Sequence, residues 1–173
     1  MTANILHETE RLKLIEEDGW QYVQRKNASG IVIMVAVTSE NALVLVEQYR
    51  TPVHARVLEL PAGIAGDINA SETLAVAANR ELEEETGYYA HDATLLFEGS
   101  VSPGLASETL TFFYMNKLEK RGSGGGVDDE NITVHHVPLA EAEAFFTQFR
   151  NNGGMVDCKV YTGLHWAQQQ CKA

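Results

Sequence analysis

A chain of 173 residues with 45% hydrophobic and 21% charged content has room for a real core and the composition of an ordinary globular protein. Its 13 basic and 24 acidic residues leave a formal net charge of −11, which argues against a nucleic-acid polymer as partner, because such binders need a basic footprint. No apolar run approaches the ~20 residues that span a bilayer, and the N-terminal MTANILHETERLK lacks the basic-then-apolar layout of a signal peptide. Neither a membrane nor export is therefore expected. Cys158 and Cys171, without metal-ligand spacing, suit a reducing cytoplasm.

Along the chain, Leu12 to Asn27 reads as two short strands around Asp18-Gly19, a dipeptide that supplies the positive φ of a tight hairpin. IVIMVAV (Ile31–Val37) and ALVLVEQYR (Ala42–Arg50) are β-branched and too short for helices, hence buried strands. Val57–Leu60 is a brief extended piece before Pro61-Ala62-Gly63. Ser71 to Thr86 is a helix, with Ser71 as N-cap, Glu72 in the first turn and Gly87 as the terminating residue. Strands follow at Thr94–Val101 and Thr109–Leu118. The stretch Arg121-Gly-Ser-Gly-Gly-Gly126, which its own side chains can hardly order, reads as a flexible loop. A strand at Ile132–Val137 and helices at Leu139–Arg150 and Asp157–Gln170 complete an α/β sandwich in one domain, 1–173. His135 and His136, as strand neighbours, point to opposite faces and cannot act together.

The segment Gly66 to Tyr88 carries the chemistry. Projected at ~100° per residue, Leu74, Ala77, Ala78 and Leu82 share an arc. Glu81, Glu84 and Glu85 lie on that arc or its edge, while Glu83 points away. A surface helix ordinarily keeps charge off its apolar stripe. Carboxylates gathered on the inward side call for cations, and oxygen donors suit Mg²⁺ or Mn²⁺. Arg80 can neutralise one of them, and the alternative is a solvated acidic helix end.

The pattern Gly66, five residues, Glu72, seven residues, Arg80-Glu81-Leu82, one residue, Glu84-Glu85, one residue, Gly87, Tyr88 resembles the Nudix box at every fixed position, with Tyr88 where the family usually has an aliphatic residue. The resemblance implies the Nudix fold, a mixed β-sheet sandwiched between α-helices, here with an N-terminal β-hairpin, and metal-dependent hydrolysis of nucleoside diphosphates linked to another group. It makes Glu81 and Glu85 metal ligands, Glu84 a third ligand or a base by way of water, and Arg80 an orienting group.

Glu47-Gln48-Tyr49-Arg50 with Glu59-Leu60-Pro61-Ala62-Gly63, and Pro103 fifteen residues beyond the box, are similar to the ADP-ribose pyrophosphatase branch and its nucleotide-sugar relatives. This resemblance assigns Arg50, Arg56, Glu59, Pro103 and Gly104 to substrate and the carbonyl of Ala62 to metal. It also implies a catalytic base among Asp128, Asp129 and Glu130, with Glu130 preferred. A homodimer is implied in which the strands within residues 1–28 reach the partner's site and Arg25 or Lys26 supplies charge. The expected substrate is ADP-ribose. GDP-mannose or another nucleotide sugar is the sister possibility, and a catalytically silent nucleotide sensor is the alternative of another class.

Overall fold

The hairpin expected around Asp18-Gly19 is present as β2 (Leu12–Glu17) and β3 (Trp20–Arg25), and β1 (Asn4–Glu8) pairs on β2 to make a three-stranded antiparallel sheet. Asp18 (φ 51°) and Gly19 (φ 81°) supply the two left-handed residues of the turn. The computed structural model describes residues 3–67, 69–127 and 131–171.

Two four-stranded sheets follow. In one, β7 (Ala62–Ala65), β4 (Gly30–Ala36), β9 (Thr109–Lys120) and β8 (Tyr88–Ser100) lie in that order, and the β4–β9 pair is parallel. In the other, the order is β10 (Thr133–Pro138), β5 (Ala42–Arg50), β6 (Ala55–Glu59) and β11 (Met155–Val156). The helices are α1 (Leu74–Thr86), α2 (Ala142–Asn151) and α3 (Cys158–Gln170). The parallel pair among antiparallel ones makes the sheet mixed.

The period of two along β4 and β5 divides the core. Ile33, Val35, Val37, Leu43 and Leu45 join Leu58 and Leu60 with Phe146 of α2 and Val160 and Leu164 of α3. Val32, Met34, Ala36 and Val44 join Ala77, Ala78 and Leu82 of α1. Every β-branched residue of these strands is buried except Ile31, which packs half-buried against the same core, and this is why they lack polar alternation.

Several local features differ from expectation. Ser71 is not the N-cap: its N–H and hydroxyl both donate to Asn69 Oδ1 (3.1 and 2.8 Å), so Asn69 holds it in a turn and Thr73 caps α1 instead. Glu72 therefore precedes the helix. β8 begins at Tyr88, directly after α1, because its first residues already pair with the end of β9 (Tyr88 opposite Lys120). The glycine stretch 121–126 is held against the end of α1 by its backbone amides, a source of order its composition does not display.

Candidate active site

α1 presents its acidic end to β7, the edge strand beside β4. In an antiparallel pair alternate residues turn their backbone groups away from the partner, and on β7 these are Ala62 and Ile64. Ala62 N donates to Glu85 Oε2 at 3.1 Å, and Ile64 N donates to Glu81 Oε1 at 3.2 Å. The carbonyl of Ala62 faces the same edge as its amide, toward these glutamates. Gly63, between them, is the condition for this approach: a Cβ there would lie 1.9 Å from Glu81 Cδ. Sequence reasoning assigned Gly63 no role, although it directly follows Ala62 in the ELPAG run.

Arg80 is the hub. Its guanidinium donates to Glu72 (3.1 and 3.2 Å), Glu81 (2.9 Å), Glu84 (3.2 Å) and the carbonyl of Ile64 (3.0 Å), with Asp67 3.5 Å away. It ties the residues before the helix to the glutamates within it. The hydrogen bonds from Arg80 hold the Glu72 carboxyl below its usual range. Glu81 behaves in the opposite way, because burial raises its pKa against the pull of Arg80. One guanidinium thus faces Asp67, Glu72, Glu81 and Glu84, and Glu85 is buried beside them. An excess of hard oxygen donors about a desolvated carboxylate, packed against a strand that only glycine lets it reach, fits a divalent cation of the Mg²⁺ kind. Glu81, Glu84, Glu85 and the Ala62 carbonyl are the groups able to hold it. Among the described residues no three His, Cys, Asp or Glu side chains are already arranged to hold a metal ion, and Glu81 and Glu84 both accept from Arg80 Nη1.

The expected substrate residues fall into three places. Arg50 and Glu59 are together, on adjacent antiparallel strands, joined by a two-pronged ion pair of 2.7 and 3.2 Å. Arg56 is not with them. Three positions from Glu59 on a strand means the opposite face, and there it donates to Glu47, which also bonds His135 Nε2 at 2.8 Å. That face turns to Phe145 and Phe149 of α2, across the sheet from α1. Pro103 and Gly104 line a cavity of about 310 Å³ with Glu17, Asp18, Trp20 and Tyr22 of the N-terminal hairpin. Their loop is a turn (Leu105 N to Ser102 O, 2.9 Å) laced to β3 by Val23 N to Leu105 O at 2.8 Å. Arg25 and Lys26 pair within their own chain, with Glu108 and Glu8. Asp128, Asp129 and Glu130 lie outside the described residues.

A NUDIX domain model matches residues 28–156. The chain belongs to the Nudix family. It is 34% identical over 142 residues to the methanol dehydrogenase activator of Bacillus methanolicus, covering 82% of this chain and 73% of that protein. It is 36% identical over 114 residues to the ADP-ribose pyrophosphatase of Bacillus subtilis (strain 168), covering 65% of this chain and 60% of that protein. The GDP-mannose pyrophosphatase of Pectobacterium atrosepticum is 32% identical over 146 residues, covering 80% of this chain and 72% of that protein. A solved structure described as an ADP compounds hydrolase superposes with a TM-score of 0.76 at 20% identity over 99% of this chain and 92% of that chain, which establishes the shared Nudix fold. The Nudix match leaves the three N-terminal strands and α3 outside it.

Proposed function

We propose that this Nudix pyrophosphohydrolase hydrolyses the diphosphate bond of ADP-ribose, adding water to give AMP and ribose 5-phosphate, with Mg²⁺ as its cation and Mn²⁺ as a substitute. The observation that carries the reading is the desolvated Glu81, seated on Gly63 beside Glu85 and the edge of β7. A divalent ion bound there supplies charge neutralisation of the diphosphate and a more acidic water. The chain's own residues do the rest. Glu81, Glu85 and the Ala62 carbonyl would hold the ion, with Glu84 as a third ligand or a base by way of water, and Arg80 keeps the glutamates oriented. Arg50, steadied by Glu59, offers its outward N–H groups to a phosphate oxygen. Pro103 and Gly104, with Trp20, shape an apolar wall suited to a base or sugar. Arg56 belongs in this reading to the Glu47–His135 network.

The proton acceptor is Glu130, on the resemblance of its position, with Glu84 as the competing choice. Glu130→Gln should lower kcat by roughly 10²–10⁴ with little change in KM. A silent Glu130→Gln beside a severe Glu84→Gln would move the base to α1.

A second reading, GDP-mannose as substrate, is favoured by the greater coverage of the relative so named, 80% of this chain against 65%. Phosphate released by a coupled phosphatase across ADP-ribose, GDP-mannose, UDP-glucose and oxidised dGTP decides between them. ADP-ribose should give the highest kcat/KM. A preference for GDP-mannose exchanges the substrate and keeps the metal site, whereas a preference for the triphosphate sinks the assignment of Arg50, Glu59 and Pro103.

The whole chain acts as one unit in this reading, and as a homodimer. The N-terminal sheet leaves Ile5, Leu6, Leu12, Leu14 and Trp20 exposed, apolar surface that a second copy would cover. The free, exposed thiols of Cys158 and Cys171 are in keeping with the cytoplasm.

A further inference from the structure

The carbonyl end of a helix leaves its last acceptors without intrahelical donors. In α1 they are met in an unusual way. Glu83 O accepts from Gly87 N at 2.8 Å, the ordinary glycine termination. Beyond it, Glu84 O accepts from Gly126 N (3.1 Å) and Glu85 O from Gly125 N (2.8 Å). Thr86 O accepts from Lys120 Nζ at 2.7 Å, where a cation also suits the negative end of the helix. Gly87 O accepts from Arg121 N (2.8 Å) and Gly122 N (3.1 Å). Residues 120–126 thus close the very turn that bears Glu84 and Glu85.

The approach is close enough to require glycine. A Cβ on Gly124 (φ +68°) would lie 2.4 Å from the carbonyl carbon of Thr86 and 2.7 Å from Glu85 O. A Cβ on Gly87 would lie 2.2 Å from Gly122 O. The glycines are a fitted surface against α1, not merely a slack connection.

We infer that the 120–126 segment is a positioning element of the metal site, with Gly124 and Lys120 as positioning residues that fix the backbone from which Glu84 and Glu85 extend. This rests on the reading that these glutamates hold a cation. An uncapped final turn frays, and the carboxylates it carries then lose their common aim. Supporting shells of this kind are worth roughly 10–100-fold in metal affinity or activity.

The test compares Gly124→Ala with Gly153→Ala in the full chain. Both positions have positive φ (+68° and +88°), so both substitutions carry backbone strain, but a Cβ at Gly153 meets nothing within 4 Å. Mn²⁺ affinity is read by electron paramagnetic resonance without substrate, and kcat and KM for ADP-ribose at saturating Mg²⁺. Gly124→Ala should weaken Mn²⁺ binding roughly tenfold or more and lower kcat more than it changes KM, with Gly153→Ala close to wild type. Lys120→Met, which keeps the stem and removes the donor, should weaken Mn²⁺ binding several-fold; it decides the matter if Gly124→Ala does not fold. Unchanged Mn²⁺ affinity in the folded variants, equal effects at Gly124 and Gly153, or no Mn²⁺ binding by wild type would overturn the inference. A wild type that binds Mn²⁺ yet cleaves none of the nucleotide sugars would sink the substrate reading alone.

Discussion

Glu81 and Gly63 show how one side chain's chemistry depends on another's absence. Burial raises the Glu81 pKa, and that burial exists because Gly63 has no Cβ to keep the carboxylate off the strand. Gly63→Ala should therefore act as a displacement of Glu81 and not as a generic core defect. Its expected outcome is a loss of about 100-fold in kcat, the scale on which a misplacement near 1 Å is felt, while the melting temperature falls only modestly. Glu81→Gln and Glu85→Gln should each nearly abolish turnover, since an amide keeps the shape and loses the charge that holds the cation. Glu83→Gln should be near neutral; equal losses at Glu83 and Glu85 in steady-state assays would refute the helical-face assignment.

At the scale of elements, the β5–β6–β10 sheet carries unlike chemistry on its two faces. Toward α1 it offers Arg50 and Glu59; toward α2 it offers Glu47, Arg56 and His135. Burial opposes ionisation of Glu47, but the hydrogen bonds from Arg56 and His135 prevail and hold it below the usual 4.5. A folded pKa below the unfolded one means that the stabilisation is fully present above the unfolded value and is lost as pH falls through the folded one. Glu47→Gln should accordingly cost about 1–3 kcal/mol near neutrality. Urea unfolding should show that difference constant from neutrality down to mildly acidic pH and shrinking below the usual carboxylate range. A difference that grew with acidity would contradict the network.

At the scale of the molecule, the N-terminal sheet is joined to the rest through β3 and the turn of Pro103 and Gly104, and it exposes a run of large apolar residues. If this surface is the dimer contact, sedimentation velocity should give a dimer at micromolar concentration. Leu12→Ser with Leu14→Ser should shift it to monomer, with activity toward ADP-ribose falling in step. A monomeric wild type of full activity would remove the dimer from the proposal and leave the metal site unchanged.

The sequence by itself determined the family, the central helix, the hairpin and the sheet-forming runs, because these are written in local pattern: fixed spacings of glutamate and glycine, a period of 3.6, and unbroken β-branched stretches. It also implied the clustering of Glu81, Glu84 and Glu85, since helical geometry alone puts them on one side. Only the tertiary structure decided what each group meets. Arg50 and Arg56 look equivalent in sequence, yet strand alternation sends them to opposite faces. Nothing local marks Gly63, yet it is the seat of Glu81. The glycines of 121–126 look disordered because flexibility is a property of the isolated segment. Their order comes from carbonyls on α1, more than thirty residues earlier in the chain, and acceptors supplied by a distant element leave no mark in the local composition.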